Sequence, residues 1–281
     1  MMNSIKFIFL GDVYGKAGRN IIKNNLAQLK SKYQADLVIV NAENTTHGKG
    51  LSLKHYEFLK EAGVNYITMG NHTWFQKLDL AVVINKKDLV RPLNLDTSFA
   101  FHNLGQGSLV FEFNKAKIRI TNLLGTSVPL PFKTTNPFKV LKELILKRDC
   151  DLHIVDFHAE TTSEKNAFCM AFDGYVTTIF GTHTHVPSAD LRITPKGSAY
   201  ITDVGMCGPG FGSVIGANPE QSIRLFCAGS REHFEVSKCG AQLNGVFFEV
   251  DVNTKKVIKT EAIRIVEDDP RYLKQDYFNL I

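Results

Sequence analysis

The chain has 281 residues, of which 44% are hydrophobic and 22% charged, and these proportions exclude a disordered, collagen-like or coiled-coil protein. A polypeptide of this length buries enough surface to form a full core without disulfides or a structural metal. The 33 Lys and Arg residues against 28 Asp and Glu give a net charge of +5, which permits an anionic small-molecule substrate or weak RNA contact and demands neither.

Cysteine content and the N-terminal region predict the location of the protein. The five cysteines include no C-x-x-C pair, and such unpaired thiols are typical of the reducing cytoplasm. The apolar run at residues 7–10 is too short for a signal-peptide core or a membrane span. We therefore expect a cytoplasmic protein with no membrane partner.

Short apolar runs alternate with amphipathic segments, a pattern typical of an α/β protein in which helices cover a parallel sheet. The predicted strands cover residues 5–10, 37–40, 66–69, 152–157, 176–180 and 199–202. The predicted helices cover residues 19–33, 52–62, 137–148 and 163–172.

Two hairpins and two long loops interrupt this alternation. The hairpins, at residues 108–122 and 246–265, predict antiparallel strands added to the sheet or to a second sheet. The loops, at residues 126–137 and 205–216, are long enough to be functional or mobile. No repeat or linker divides the chain, so we expect a single domain over residues 1–281.

Metal-capable side chains follow the carboxyl ends of nearly all the predicted parallel strands. Ligands of open α/β sheets bind beyond these ends, where side chains distant in sequence converge. The predicted metal ligands are Asp12, Glu43, Asn44, Asn71, His158, His183 and His185.

The chemistry of these seven side chains favours particular metals. They supply two carboxylates, three imidazoles and two amide oxygens but no thiolate, a set that suits Fe, Mn or Zn. Seven candidates exceed the needs of one tetrahedral ion. A pair of ions that share a carboxylate is the arrangement that cleaves phosphoesters, so we expect a dinuclear centre.

Two short histidine motifs refine this prediction. His183 and His185 are two residues apart, so on an extended chain both imidazoles would point to the same side and could serve one ion each. His72 adjoins the candidate ligand Asn71 and remains free to donate a proton. We therefore expect His72 to be the general acid for the leaving alkoxide.

Taken singly, these residues have structural alternatives. Asp12, Asn44 and Asn71 could each be turn or capping residues, and His158 could be a hydrogen-bonded histidine of the core. Their joint placement at strand ends is harder to explain by turn preferences. The remaining histidines lack this placement and are expected to be structural or solvent-exposed: His47, His55, His102, His153 and His233.

Several separated motifs, considered together, resemble one protein family. They are Gly11-Asp12-Val13-Tyr14-Gly15-Lys16-Ala17-Gly18-Arg19, Asn41-Ala42-Glu43-Asn44, Gly70-Asn71-His72-Thr73-Trp74, His158-Ala159-Glu160, Gly181-Thr182-His183-Thr184-His185-Val186-Pro187 and Asp203-Val204-Gly205-Met206. From residue 5 to beyond Gly208, the chain resembles the bacterial YmdB-like family of calcineurin-like metallophosphoesterases.

The resemblance implies a four-layer α/β/β/α sandwich, a di-iron or similar centre, and phosphodiesterase activity towards 2′,3′-cyclic nucleotides. It also implies that Glu43 bridges the two ions. Where the wider superfamily has Asp-x-His and a bridging Asp, this chain has Tyr14 and Glu43, and Asn44 would compensate for the absent imidazole. The implied ligand sets are Asp12, Glu43, Asn44 and His185 for one ion, and Glu43, Asn71, His158 and His183 for the other.

The resulting hypothesis is a phosphodiesterase in which a metal-activated hydroxide attacks phosphorus while His72 protonates the departing ribose oxygen. The most expected metal is Fe, with Mn or Zn as alternatives. Two other functions stay open: an RNA-binding or regulatory protein with weak or incidental hydrolysis, and a phosphomonoesterase or nucleotidase that uses the same centre. We also expect a homo-oligomer of unknown order.

Contacts with the substrate are not assigned by the sequence. Trp74 and Phe75 could either stack on a nucleobase or pack in the core. Arg19 could either bind phosphate or form a surface salt bridge. The loop at residues 205–216 could either close over the substrate or contact another subunit.

Overall fold

The strands of the computed structural model, which describes residues 4–270 and 276–280, form two sheets. In chain order they are β1 (Ser4–Leu10), β2 (Asp12–Val13), β3 (Leu37–Asn41), β4 (Tyr66–Thr68), β5 (Leu89–Val90), β6 (Ser108–Phe113), β7 (Ala116–Leu124), β8 (Leu152–His158), β9 (Thr178–Thr182), β10 (Arg192–Ile193), β11 (Ala199–Ile201), β12 (Met206–Pro209), β13 (Ala241–Asp251) and β14 (Val257–Val266).

Helices occur in the connections between these strands. They are α1 (Gly15–Tyr33), α2 (Leu53–Glu61), α3 (Leu80–Val83), α4 (Pro137–Leu146), α5 (Thr162–Phe172) and α6 (Pro219–Ala228), with a 3₁₀ helix at Phe278–Leu280. Within the described part of the chain, no helix is both long enough and apolar enough to cross a membrane.

Each sheet contains a run of parallel strands. The first sheet has the order β2-β12-β13-β1-β3-β4-β5, with β14 paired to β13, and β1, β3, β4 and β5 are parallel. The second has the order β10-β11-β9-β8-β7-β6, and β7, β8, β9 and β11 are parallel. Parallel strands deliver the residues that follow them to one edge of their sheet, which is the placement that the sequence predicts for the site.

Strand alternation sorts the apolar side chains into separate layers, because successive residues of a strand point to opposite faces. In β1, Ile8 and Leu10 pack with α1 and α2, whereas Phe7 and Phe9 pack towards the second sheet. In β8, Phe157 packs against α5 on the far side. The order of layers is therefore α/β/β/α, and the predicted sandwich is confirmed.

Stacked aromatic rings fill the space between the two sheets. Phe7 and Phe248 stack with their centroids 4.8 Å apart, and Phe180 of the second sheet lies 5.2 Å from Phe248 and 5.3 Å from Phe9. All four rings are completely buried. Burial of this much apolar surface holds the two sheets face to face.

The six predicted parallel strands, both hairpins and all four predicted helices are present, with shifted ends. Helix α1 begins at Gly15 rather than at residue 19. Two glycines in its first turn argue against a helix on propensity alone. At Gly18, however, a Cβ atom would lie 2.1 Å from the carbonyl oxygen of Cys207 in β12, so this close approach of helix and strand requires glycine.

Other elements were not predicted from the sequence. Residues 205–216 were expected to form a loop but contain β12, which pairs with β2 and β13. A strand that contains Gly and Pro and whose partners are distant in sequence has no local signal. Helix α6 did have one, because Asn218 caps it and proline follows. The short elements α3, β2, β5 and β10 were also missed.

The expectation of a single domain stays a prediction. Residues 1–3, 271–275 and 281 of its proposed span lie outside the described residues.

We expect Phe248→Ala to lower the free energy of unfolding by about 3–5 kcal/mol, because it leaves a cavity between the sheets. Guanidinium denaturation measures this value. Met170→Ala is the control, since Met170 is 81% exposed on α5, and it should change stability little. Equal effects of the two substitutions would contradict the role given to the aromatic layer.

Candidate metal centre

All seven sequence-predicted ligands meet where the carboxyl ends of the two sheets face each other. Five of them are buried, and the other two, Asn71 and His183, are half-buried. They come from β2 and the segments after β3 and β4 in the first sheet, and from the ends of β8 and β9 in the second: Asp12, Glu43, Asn44, Asn71, His158, His183 and His185.

Glu43 occupies the centre of this cluster. Its Oε2 lies 3.2 Å from Nε2 of His158, and its side chain is 1% exposed. Two groups of metal-capable residues, each with donor atoms within 4.8 Å of one another, both contain Glu43. The members of these groups are Glu43, His158 and His183 in one, and Asp12, Glu43 and His185 in the other.

The two asparagines complete these groups. Asn71 Oδ1 lies 2.9 Å from His158 Nε2, and Asn44 Oδ1 lies 3.2 Å from His185 Nε2. Asn71 therefore lies with the group that contains His158, and Asn44 lies with the group that contains His185, as the resemblance to the YmdB-like family implies.

Each imidazole presents one nitrogen to the cluster and anchors the other outside it. In metal sites, an outer partner of this kind fixes the tautomer of a ligating histidine. The outer contacts are His158 Nδ1 to Thr182 Oγ1 at 2.8 Å, His183 Nε2 to Glu160 Oε2 at 2.7 Å, and His185 Nδ1 to the carbonyl oxygen of Ile215 at 2.8 Å.

The outer acceptor determines where each neutral ring carries its proton. A carbonyl oxygen can only accept, so Nδ1 of His185 must be the protonated nitrogen, and its bare Nε2 faces the cluster. Asn44 donates its amide Nδ2 to the carbonyl oxygen of Gly48 at 2.8 Å, which turns its Oδ1 towards His185. Two acceptor atoms, Nε2 of His185 and Oδ1 of Asn44, thus face each other at 3.2 Å. A cation between them would stabilise this arrangement.

Asp12 provides a second indication that the cluster suits a cation. Its Oδ2 accepts a hydrogen bond of 3.2 Å from the backbone N–H of His183, but its buried Oδ1 has no hydrogen-bond partner in the described residues. Burial raises the pKa of Asp12 well above its usual value. Nδ1 of His158 lies 3.9 Å from Oδ1 of Asp12, too far for a hydrogen bond. A buried carboxylate without a hydrogen-bonded or coordinated positive partner is costly, and a metal ion would supply one.

The protonation states of the histidines agree with this interpretation. Burial lowers the pKa of His183 to about 3 and also lowers the pKa of His185, so both are neutral at pH 7, as metal ligands must be. Burial opposes the charged form of His158 as well, but Glu43 and Asp12 outweigh it and raise its pKa to about 9. The proton on His158 thus compensates the carboxylates in place of a cation.

One prediction about the His183 and His185 motif is wrong. Both residues have positive φ, 100° and 68°, so the chain is not extended there. The backbone turns instead because Asp203 Oδ2 accepts from the N–H of Thr184 at 3.1 Å and from Lys165 Nζ at 2.7 Å. The turn, and not strand alternation, sends the two imidazoles to different groups.

Residues that support the cluster from behind include Asp203, which the sequence placed at a strand end, and Lys165 and Asp156, which sequence reasoning missed. Lys165 and Asp203 form a buried ion pair, and Lys165 also donates to the carbonyl oxygen of Thr182 at 2.9 Å. Asp156 accepts from Thr182 Oγ1 at 2.6 Å and so holds the hydroxyl that contacts His158. The only sequence signal was the position of Asp203 after a parallel strand, because Lys165 and Asp156 lie within a helix and a strand.

His72 lies at the mouth of the cluster, with 24% of its side chain exposed. Its Nδ1 is 2.9 Å from Asn44 Nδ2 and 3.2 Å from Glu43 Oε1. Nδ1 thus lies between an amide nitrogen and a carboxylate oxygen, and the other ring nitrogen is Nε2. In the described residues no hydrogen-bond partner is found for that nitrogen, which leaves it available to a ligand.

The structure also places the other residues that the sequence left open. Arg19 is buried and donates from Nη1 to the carbonyl oxygen of Thr45 at 2.6 Å. The observed contact is therefore a backbone hydrogen bond, and neither a phosphate contact nor a surface salt bridge. Trp74 packs in a buried cluster, whereas Phe75 is 51% exposed. Tyr14 packs edge-on against His185, with ring centroids 5.4 Å apart.

Comparison with known proteins agrees with this geometry. A family model described as YmdB-like protein matches residues 8–263. The chain belongs to the YmdB-like family. Over 280 residues it is 71% identical to a Mycoplasma genitalium protein with the provisional name phosphatase/phosphodiesterase, and the match covers 100% of both chains. Over 266 residues it is 40% identical to the Bacillus subtilis 2′,3′-cyclic-nucleotide 2′-phosphodiesterase, covering 94% of this chain and 98% of that one.

Solved structures share the fold of this YmdB-like chain. A hypothetical protein from Thermus thermophilus has a TM-score of 0.85 at 31% identity, with 94% of this chain and 100% of that chain covered. A Staphylococcus aureus protein with the provisional name 5′-nucleotidase has a TM-score of 0.62 at 16% identity, with 95% of this chain and 55% of that chain covered. The second likeness shows the fold alone, which is the predicted α/β/β/α sandwich.

We expect metal binding to release about one proton per chain at pH 7 to 8, because a cation at Nε2 of His158 displaces the proton held there. Titration of the metal-free protein with Mn²⁺, in buffers of different ionisation enthalpy, measures the release. The release should fall to about half near pH 9, the pKa of His158, and vanish at higher pH, while metal affinity should rise with pH through this range. Proton release that does not change between pH 7 and pH 10 would contradict this assignment.

Proposed function

We propose that this YmdB-like chain is a metal-dependent phosphodiesterase that hydrolyses 2′,3′-cyclic nucleotides. The observation that carries the proposal is the position of Glu43, whose carboxylate belongs to both groups of metal-capable residues. A shared carboxylate is the feature that a two-metal phosphoesterase site requires. The Bacillus subtilis relative, 40% identical over nearly its whole length, has a name that states the same substrate class.

The proposed centre contains two metal ions, most simply Fe, with Mn or Zn as alternatives of similar ligand chemistry. Such ions supply Lewis-acid polarisation of the phosphoryl group and lower the pKa of the attacking water. Asp12, Asn44 and His185 would hold one ion, Asn71, His158 and His183 the other, and Glu43 both. The donor set fits this assignment because one nitrogen of each imidazole, the amide oxygens and Asp12 Oδ1 all face the cluster, and the proton on His158 is the one that a bound ion would displace.

The remaining proton transfer is assigned to His72. Hydrolysis forms one bond from a water oxygen to phosphorus and breaks one bond from phosphorus to a ribose oxygen, which leaves as an alcohol once it gains a proton. His72 has its Nδ1 directed to Asn44 and its backbone N–H bonded to Glu43 Oε2 at 3.0 Å. The ring is thus fixed. As an imidazolium it would keep one proton on Nδ1, facing Glu43 Oε1 at 3.2 Å, and give the Nε2 proton to the departing oxygen, becoming neutral as a general acid does.

Two further expectations belong to this proposal. All five cysteines are free thiols in the structure, which supports the proposed cytoplasmic location. A homo-oligomer of unknown order is also proposed.

A substrate panel separates this function from the other activities that the same centre could have. The metal-loaded protein is assayed with 2′,3′-cyclic nucleotides, 3′,5′-cyclic nucleotides, linear diesters and nucleoside monophosphates. The proposal expects the highest kcat/KM for the 2′,3′-cyclic nucleotides. A preference for monophosphates would identify a phosphatase, a word that the name of the Mycoplasma genitalium relative includes.

We expect Glu43→Gln to lower the metal content from about two ions per chain, because the shared carboxylate loses its charge. Elemental analysis of the purified protein measures this content. Glu57→Gln is the matched control, since Glu57 is exposed on α2, and it should retain the metal of the unmodified chain. Full retention of metal by Glu43→Gln would exclude Glu43 as the shared ligand.

We expect His72→Ala to lower kcat by about 10²- to 10⁴-fold while the metal content stays intact, as for the loss of a general acid. The loss should shrink with a 4-nitrophenyl ester, whose leaving group needs no proton. His233→Ala, at an exposed position, serves as the control. If turnover of the cyclic nucleotide is unchanged in His72→Ala, another group donates the proton.

A further inference from the structure

An exposed aromatic ring lies beside His72, at the mouth of the candidate metal centre. The ring of Phe75 is 5.2 Å from the ring of His72, centroid to centroid, and nearly perpendicular to it at 82°. Half of Phe75 is exposed, at 51%. A large apolar side chain placed in water beside a polar site has no role in the core and is available to a ligand.

The neighbouring Trp74 is not available, although it is the larger aromatic residue. It is 8% exposed and packs in a cluster with Phe99, Phe101 and Phe132, at centroid distances between 5.1 and 6.5 Å. This packing fixes the turn that carries His72. With Trp74 held in the cluster, the next side chain of the turn, Phe75, points outwards.

Hydrogen bonds hold Phe75 at a set position relative to His72. The N–H of Phe75 donates to the carbonyl oxygen of His72 at 3.2 Å. Gln76 donates from Nε2 to the carbonyl oxygen of Lys49 at 2.7 Å, which joins this turn to the loop that follows Glu43. The aromatic ring, the proton donor and the shared carboxylate therefore belong to one connected unit.

An exposed lysine lies over one face of the Phe75 ring. The ammonium group of Lys49 lies 5.1 Å from the ring centroid, and Lys49 is exposed and takes part in none of the ion pairs found among the described residues. A lysine ammonium over an exposed ring contributes little. A flat ligand with a larger contact area could displace it.

The structure of the proposed substrate explains why an aromatic ring such as Phe75 would lie next to His72. In a 2′,3′-cyclic nucleotide the base is attached to C1′, the carbon next to the one that bears the 2′-oxygen. A group that protonates the departing 2′-oxygen must therefore lie close to the base. Phe75 adjoins the residue proposed for that protonation.

We propose that Phe75 is the nucleobase-stacking residue of this site, an inference that rests on the proposed function. The base would stack on the ring face that Lys49 now covers. Stacking recognises any base by its π-face, so it favours bases of larger area and predicts purine over pyrimidine 2′,3′-cyclic nucleotides. Phe75 is in this view a specificity-determining residue, whereas His72 acts on the ribose oxygen.

The test uses the metal-loaded full chain with two substrates, adenosine 2′,3′-cyclic phosphate and 1-O-methylribose 2,3-cyclic phosphate, which lacks a base. Phe75→Leu should lower kcat/KM for the nucleotide by about 5- to 100-fold, the range for loss of one base stack, and mainly through KM. The base-free substrate should lose far less. Phe75→Trp should restore the nucleotide value, and Phe226→Leu, at an exposed phenylalanine of α6, should behave as the unmodified chain.

An equal loss on both substrates would overturn the inference, because it would show a structural role, and so would no loss on either. Calorimetric binding of adenosine 3′-phosphate to the unmodified chain and to Phe75→Leu separates this inference from the proposed function. If neither cyclic phosphate is hydrolysed but Phe75→Leu still weakens nucleotide binding, the base contact stands and the proposed reaction fails. If binding is equal in both proteins, the base contact is wrong whatever the reaction.

Discussion

The contact between Glu43 and His158 joins the two sheets at the end where the polar residues gather. Glu43 follows a strand of the first sheet and His158 ends a strand of the second, and the two buried side chains approach to 3.2 Å. Opposite charges removed from water stabilise each other only in good geometry, and an unpaired one is strongly destabilising. The sheets must therefore meet at a fixed separation and register for this cluster to exist.

The apolar layer sets that separation. The rings of Phe7, Phe180 and Phe248 fill the space between the sheets and are fully buried. Burial of these rings stabilises the folded state. It offsets the presence of a buried polar cluster that contributes little stability by itself. Buried pairs of carboxylates favour a bound cation. Metal binding is therefore expected to stabilise the folded chain.

A second group of buried charges orients the histidines. The pair of Lys165 and Asp203 stabilises the turn with positive φ that carries His183 and His185. Asp156 fixes the hydroxyl of Thr182, which in turn contacts His158. Outer partners of this kind determine which nitrogen of each ring faces the metal side. The site thus consists of the metal-capable side chains and of the charged residues that orient them from behind. These charged residues come from α5, β8 and the segment after β11.

The mouth of the site contains the two groups proposed to act on the substrate. His72 and Phe75 lie on one turn, and the burial of Trp74 determines how that turn is presented. The proposed proton transfer and the proposed base contact therefore depend on a single short segment. This arrangement gives a physical reason for a preference between substrates that share the same phosphodiester.

The sequence by itself determined the fold class and which residues would meet in the candidate metal centre. Parallel strands end at one edge of a sheet, so a polar residue after an apolar run already indicates its place in space, as for Asp12, Glu43 and His158. The tertiary structure alone decided which acceptor faces each imidazole, that Lys165 and Asp203 bend the chain at His183, and that Trp74 is buried while Phe75 is exposed. Helix α6, signalled by Asn218, could have been found, but β12 could not, because its partners are distant in sequence. Spacing along a strand or helix is a local property of the chain, whereas pairing, burial and the direction of a hydrogen bond depend on residues that only the folded chain brings together.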